Sequence, residues 1–439
     1  MEFRERSNDS LRHVCPKGRR WSDKRWAKHL DELGGFLEPI IGPLGRAERR
    51  IAATRYVHGL LLPGERKSIE PIAGRLRVNS QSLQQFVRDS PWSAETVWSS
   101  LRREAIAPFG PFSAWVIDES GWPKQGKHSV GVARQYSRAL GRTANCQICI
   151  EVAVAGSEVA LPVAGRLYLP ENWMRDRARR RAAGVPDDIA FQTKPQIALD
   201  LLRQVITDGV ARAPILADEV YGDCHNFRAS LRQLGLEYCL KASRSLKAWT
   251  EVPHLQCRQR SRYFAKDGRF TRSLHELANA FAPTQWVDVS WKAGKATCHT
   301  RLAWRRIWLA NGLRCGDEEP EQAWLLVDWP ARKSDPYRCY LMHLNCNPSK
   351  ALCLRLSRDR SHIEKYFQRL KNDLGLHHYE GRSWQGFHHH LVLAALAYLF
   401  VGVSHHRSKK NFWADVGKRT PHDPAVRGEV HRLLRHVRI

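Results

Sequence analysis

Three acidic residues in the 439-residue chain stand where chemistry is possible. Asp118 lies at the end of the apolar run in Ser113-Ala-Trp-Val-Ile-Asp-Glu-Ser-Gly121, and Asp218 holds the same place in Ala213-Pro-Ile-Leu-Ala-Asp-Glu-Val-Tyr-Gly-Asp223. Short runs of large and β-branched residues bounded by turn residues read as buried strands, so both carboxylates are expected where a central strand leaves a core. Glu364 is the third. It lies in Asp359-Arg-Ser-His-Ile-Glu-Lys-Tyr-Phe-Gln-Arg-Leu-Lys-Asn-Asp-Leu374, where Ile363, Phe367, Leu370 and Leu374 recur at helical spacing. At about 100° per residue, Arg360, Glu364 and Lys371 fall roughly 60°, 100° and 80° from Ile363, a polar stripe beside the apolar one. An ordinary solvated Glu–Lys stripe would have the same form.

Carboxylates converging from two strand ends and a helix suit divalent cations. Breaking or transferring a phosphodiester requires an oxygen nucleophile deprotonated near neutral pH and a stabilised leaving oxyanion, and two ions about 3.5–4 Å apart do both. Magnesium takes oxygen ligands and keeps several waters, so Asp118, Asp218 and Glu364 would suffice to hold it. Lys371 would steady a phosphate and Arg360 a terminal nucleotide. The neighbouring Glu119 and Glu219 are less favoured because successive strand residues face opposite sides, while Asp223 could support the site from a loop. From these residues alone the expectation is a metal-dependent enzyme of nucleic acids.

The charge balance points the same way. Lys and Arg number 71 against 44 Asp and Glu, a formal +27 with a pI near 10, and 43% of residues are hydrophobic. A folded chain with so large a basic excess, dispersed along its length, carries the electrostatic footprint of a polyanion partner, nucleic acid first. A merely soluble basic surface is the alternative. A carboxylate-pair glycosidase would leave the charge unexplained. The 11 cysteines are scattered and no N-terminal signal is legible, which favours reduced thiols in a cytoplasmic protein. Cys146 and Cys149 sit in a strand-like run with no second pair at zinc spacing and read as core. The apolar stretch 391–403 is too short for a bilayer and reads as a buried helix, with no membrane role.

The elements that must position these residues follow in order. Residues 1–110 read as a helical DNA-binding region. Within it, 69–88 has the layout of a helix-turn-helix: Ile72, Ala73, Leu76 and Val78 face inward, Asn79 or Ser80 caps a second helix, and Leu83, Phe86 and Val87 pack back. Gln81, Gln84, Gln85 and Arg88 would then be offered to a DNA groove. A plain helical hairpin would give the same pattern. Short strands follow over 111–240, with Lys124, Lys127 and Arg134 as candidate phosphate contacts after the first acid and a helix over 195–205 before the second. The run Arg175-Asp-Arg-Ala-Arg-Arg-Arg181 reads as a phosphate grip or a solvated face. Residues 241–347 form a β-rich insertion with recurring tryptophans, most of them expected in its core, with one or two beside arginines able to stack on bases. Residues 348–403 carry the acid-bearing helix, and 404–439 form a basic tail.

The stretches Trp115-Val-Ile-Asp-Glu-Ser-Gly-Trp-Pro-Lys124, Ser129-Val-Gly-Val-Ala-Arg-Gln-Tyr136, Leu167-Tyr-Leu-Pro-Glu-Asn-Trp173 and Ala217-Asp-Glu-Val-Tyr-Gly-Asp223 occur in this order. They are followed by Arg360, Glu364, Lys371, Leu374-Gly-Leu376 and Tyr379-Glu-Gly-Arg-Ser-Trp384. In this the chain resembles the DDE-superfamily insertion-sequence transposases whose third acid lies in an R-x3-E-x6-K signature. The resemblance implies an α/β, RNase H-like mixed-sheet core interrupted by the β-rich insertion. It also implies cut-and-paste transposition with two Mg2+ or Mn2+ ions per site, acting as a homodimer or larger multimer on double-stranded DNA, both terminal inverted repeats and target, in a bacterial cytoplasm. A non-catalytic DNA-binding regulator and a nuclease that cuts without joining are the alternatives. Two positions depart from the fullest signature: Ser357 stands where relatives carry Tyr, and His377 where an acid often follows Leu-Gly-Leu.

Overall fold

The computed structural model describes residues 23–408 apart from 63, 138–139, 157–159, 254, 259–261, 266–269, 294–295, 314–318, 331–337 and 359–373. In chain order come helices α1 (Asp23–Ile41), α2 (Ala47–Leu61), α3 (Ile69–Leu76), α4 (Ser80–Arg88) and α5 (Ala94–Ser100). Strands β1 (Ala114–Pro123), β2 (Ala133–Ser137), β3 (Arg142–Ala155) and β4 (Ala160–Leu167) follow, then α6 (Glu171–Arg175), α7 (Arg177–Ala182) and α8 (Lys194–Thr207). Next are β5 (Ile215–Ala217), α9 (Glu219–Gly222), α10 (His225–Gln233), β6 (Tyr238–Ala242), β7 (Lys247–Trp249), the hairpin β8 (Leu255–Arg258) and β9 (Arg262–Ala265), β10 (Arg272–Ser273) and α11 (Leu274–Asn279). Strands β11 (Val287–Ala293), β12 (Ala296–Leu309), β13 (Glu321–Pro330) and β14 (Arg338–His343), a helix α12 over 350–358 and α13 (Trp384–Ser408) complete the set. The chain divides into two compact units, one drawn from 23–112, 119–211 and 374–408, the other from 113–118 and 212–358.

The first unit is organised around α13. Its segment 391–400 is buried throughout because α1, α2, α4, α5 and β4 cover it. Three consecutive histidines, turned about 100° from one another, reach three different neighbours. His388 Nε2 accepts from the Leu167 amide (3.3 Å), His389 meets the Val87 and Trp92 carbonyls (2.8 and 2.7 Å), and His390 Nδ1 accepts from the Tyr56 hydroxyl (2.9 Å). Burial pushes His388 and His390 down to about 4, so both rings are neutral at pH 7 and can accept at one nitrogen. No helix among the described residues is long and apolar enough to cross a membrane.

The hairpin α3–α4 belongs to this unit. Arg77 ends α3 in the left-handed region, and the Asn79 side chain accepts from the Ser82 amide (3.2 Å), so the turn is closed by a backbone reversal and an N-cap. Ile72, Ala73, Leu83, Phe86 and Val87 are buried. Strand β3 pairs with β2 through its first half and β4 through its second, and it carries the buried Cys146 and Cys149.

In the second unit β5 lies parallel between β1 and β6, and the sheet continues antiparallel through β14, β13, β12, β7 and β10, with β11 also on β12. Parallel strands joined by helices beside an antiparallel run make the expected mixed α/β sheet. The insertion's tryptophans depart from the core expectation. Trp249 is buried, while Trp286, Trp291, Trp304, Trp308, Trp324 and Trp329 are half-exposed. The core positions on these strands are filled by Leu302, Ala303, Ile307, Leu325, Leu326 and Val327. Arginines cover the outer indoles: Arg301 lies 4.2 Å over Trp329, Arg306 4.9 Å over Trp324 and Arg358 4.0 Å over Trp291. Guanidinium faces stack on electron-rich rings while their stems shield the flanks. Among the described residues the fully buried indoles are Trp115, Trp122 and Trp173, outside the insertion.

Candidate active site

Residues 114–117 of β1 and 215–217 of β5 are buried and apolar, and each run ends in an aspartate. The parallel register pairs Trp115 with Ile215 and Val116 with Leu216. Continued two residues beyond the last pair, the same register would bring Asp118 beside Asp218. Alternate residues share a face, so both side chains leave the sheet on the side taken by Val116 and Leu216, on strands about 4.8 Å apart. A sequence separation of 100 residues is thereby closed to adjacent rows.

Local geometry fixes Asp218 further. It caps α9, its Oδ1 accepting from the Val220 amide (3.0 Å), and its own carbonyl takes the amides of Tyr221 and Gly222 (3.2 and 2.9 Å). The side chain is 1% exposed, and Asp118 is half-buried. Gly222 lets this one-turn helix lie against β6, because a Cβ there would sit 1.9 Å from the Lys241 carbonyl.

The surrounding acids have different partners. Register places Lys241 next to Asp218 in the row, since Ala217 pairs with Leu240, and its ammonium binds Glu219 at 2.6 Å. Lys241 carried no signal in the sequence because only strand register brings it here. Asp223 accepts from the Ser243 amide (2.8 Å), and its carboxyl is pushed above the usual range by burial, with Glu219 and Asp218 adding repulsion. Glu119, in the first unit, is held by Lys194 at 2.6 Å. Among the described residues no group of three His, Cys, Asp or Glu side chains converges as a metal site. Arg360, Glu364 and Lys371 lie outside the described residues.

The remaining candidates belong to the first unit. Gln81, Gln84, Gln85 and Arg88 are exposed on α4, Arg88 beside Asp89 at 3.1 Å. Lys127 and Arg134 are exposed. Lys124 is half-buried with its ammonium donating to the Tyr379 carbonyl, and burial, with Arg66 nearby, lowers it to about 8. The basic run is partly structural: Arg179 lies 3.8 Å over Trp173, and Arg180 donates to the Pro186 and Ile189 carbonyls (3.1 and 2.9 Å). In the second unit Ser357 turns its hydroxyl back onto the Leu354 carbonyl (2.9 Å).

A family model described as DDE superfamily endonuclease matches residues 39–308, more than half of the chain. The chain belongs to the DDE superfamily endonuclease family. The match in this DDE-family chain includes both aspartates and ends before residue 364. The chain is also 29% identical over 239 residues to the probable transposase for insertion sequence element IS701 of Microchaete diplosiphon. That alignment takes in 52% of this chain and 60% of the relative's length.

Proposed function

We propose that this protein is a DNA transposase that cuts the ends of an insertion sequence and joins them to target DNA. The single observation carrying the proposal is the adjacency of Asp118 and Asp218 at the ends of neighbouring parallel strands. Two carboxylates sharing one face offer hard oxygen donors, the ligand type that Mg2+ or Mn2+ takes. Asp118, Asp218 and Glu364 would hold the ions. Divalent ions bound there supply activation of the attacking oxygen and stabilisation of the leaving one.

The chain's own residues perform the rest. The Val220 amide fixes one oxygen of Asp218 and thereby the direction of the other. Lys241 balances Glu219, keeping the local negative charge on the aspartates. The basic surface neutralises phosphates, and exposed Gln81, Gln84 and Arg88 meet a groove in the terminal repeat, with Lys127 and Arg134 on backbone phosphates. Arg360 and Lys371 would bind a terminal nucleotide and a phosphate.

The test uses a DNA fragment bearing the element's own terminal repeat, with Mg2+ and with EDTA, for the wild type, Asp218→Asn and Glu364→Gln. Metal-dependent nicking and joined product in the wild type alone are expected, with repeat binding retained in both variants. Nicking without joined product would make the protein a nuclease. Tight metal-independent binding without nicking would make it a regulator.

A further inference from the structure

Among the described residues of the second unit, the most heavily bonded carboxylate lies between 241 and 347. Glu321, the first residue of β13, has a side chain 2% exposed. It accepts from Arg228 Nε and Nη2 (3.0 and 2.9 Å), from the Tyr238 hydroxyl (2.8 Å) and from Arg232, with His225 Nδ1 at 3.3 Å. Burial alone would raise its carboxyl, but the His225 bond and the charges of Arg228 and Arg232 outweigh it and pull Glu321 down to about 2.

Arg228 is the residue through which this network acts. It is fully buried on α10, and such a charge is tolerated only when paired and hydrogen-bonded. Its Nη1 donates to the Gly222 carbonyl at 2.6 Å. That carbonyl ends the one-turn helix whose first cap is Asp218, and a cation there also opposes the negative end of the peptide dipoles. Nη2 reaches Asn311 (3.3 Å), on the loop after β12. The loop passes close enough that a Cβ at Gly312, where φ is +86°, would lie 2.0 Å from the His225 ring.

Resting on the metal-site reading above, we propose that Glu321 and Arg228 are positioning residues for Asp218. The insertion strand, through Glu321, orients the Arg228 fork. Arg228 clamps the Gly222 carbonyl, and the clamped turn sets the Asp218 carboxylate in its row beside Asp118. The insertion is therefore a part of the metal site, not an appendage to it.

The experiment takes the full chain as wild type, Glu321→Gln, Arg228→Lys and Asp218→Asn. Amide hydrogen exchange is followed in a peptide covering 218–223 and in a reference peptide covering 391–400. Mn2+ binding without DNA is read from the free-ion electron paramagnetic resonance signal. Expected are exchange at least tenfold faster in 218–223 with the reference unchanged, and Mn2+ affinity at least fivefold weaker, for both Glu321→Gln and Arg228→Lys. Wild-type exchange in 218–223 for either variant, or loosened exchange with unchanged Mn2+ affinity, overturns the proposal. Should Glu321→Gln unfold as a whole, Arg228→Lys, which retains the buried cation and removes the fork, decides alone. If the wild type takes no Mn2+, the metal-site reading fails, and the exchange arm still decides whether the clamp holds the turn.

Discussion

Among the described residues a buried arginine clamp stands in each unit, and the two clamps differ in what lies behind them. In the first unit Arg102, 1% exposed, donates to Asp208 at 2.6 Å and to the Val163 carbonyl at 3.0 Å, with Glu95 on its outer side. Asp208 also accepts from Ser99 (2.9 Å) and Arg103 (2.8 Å), so this clamp ties the helices before β1 to the end of α8. In the second unit Arg228 meets Glu321 and extends past it to the turn that carries Asp218. A buried ion pair is weak evidence for stability, because desolvation offsets most of the Coulomb gain. What distinguishes the clamps is therefore position: one buttresses helices, the other stands behind a carboxylate on which the proposed chemistry depends.

The largest expected effect tests that difference directly. Arg228→Met and Arg102→Met each leave a carboxylate buried without its main partner, which costs ~3–5 kcal/mol. Urea unfolding should show similar losses for both. Nicking per folded molecule should vanish for Arg228→Met and persist for Arg102→Met; equal loss of nicking would erase the distinction.

Acid provides the next test. Glu321 falls from an ordinary 4.5 to about 2 in the folded protein, so its stabilising contribution is complete above pH ~4.5 and is lost as pH falls toward about 2. The expected loss is on the order of 3 kcal/mol. Asp208 is also lowered, its bonds to Arg102, Ser99 and Arg103 outweighing burial, and its contribution has the same sign, lost as pH falls below its ordinary 3.8. Unfolding midpoints at pH 7, 4 and 3 should fall in the wild type, and fall less in Glu321→Gln. An identical decline in both would remove Glu321 as a source.

Smaller substitutions grade the comparison. Tyr238→Phe deletes one neutral donor to Glu321 and should cost ~1 kcal/mol in urea unfolding. Arg103→Ala removes a partner whose side chain is 60% exposed, and the shift should stay below ~1 kcal/mol. A larger shift for Arg103→Ala than for Tyr238→Phe would reverse the assigned order of the two networks.

Local chemistry made much of the fold legible. Asn79 announces a helix start because its side chain satisfies an amide three residues on, and the α3–α4 hairpin follows from that cap and the apolar spacing. The two strand ends were legible because buried apolar runs must terminate where a carboxylate can be solvated or bonded. The half-exposed tryptophans between 286 and 329 depart from the core expectation for a physical reason. Alternation assigns residues to two faces of a strand but does not say which face is covered, and arginine stems supply a cover that hydrophobic patterning does not register.

The sequence by itself determined the helices before residue 110, the strand-end aspartates, the strands between 241 and 347 and the basic charge, each a property of neighbouring residues or of the whole composition. Tertiary structure alone decided that the strands ending in Asp118 and Asp218 are parallel neighbours, that β6 lies on the other side of β5, and that Arg228 meets Glu321 across 93 residues of chain. Register and burial depend on which segments pair, and pairing is settled by the packing of the entire sheet, a quantity that no local window of residues contains.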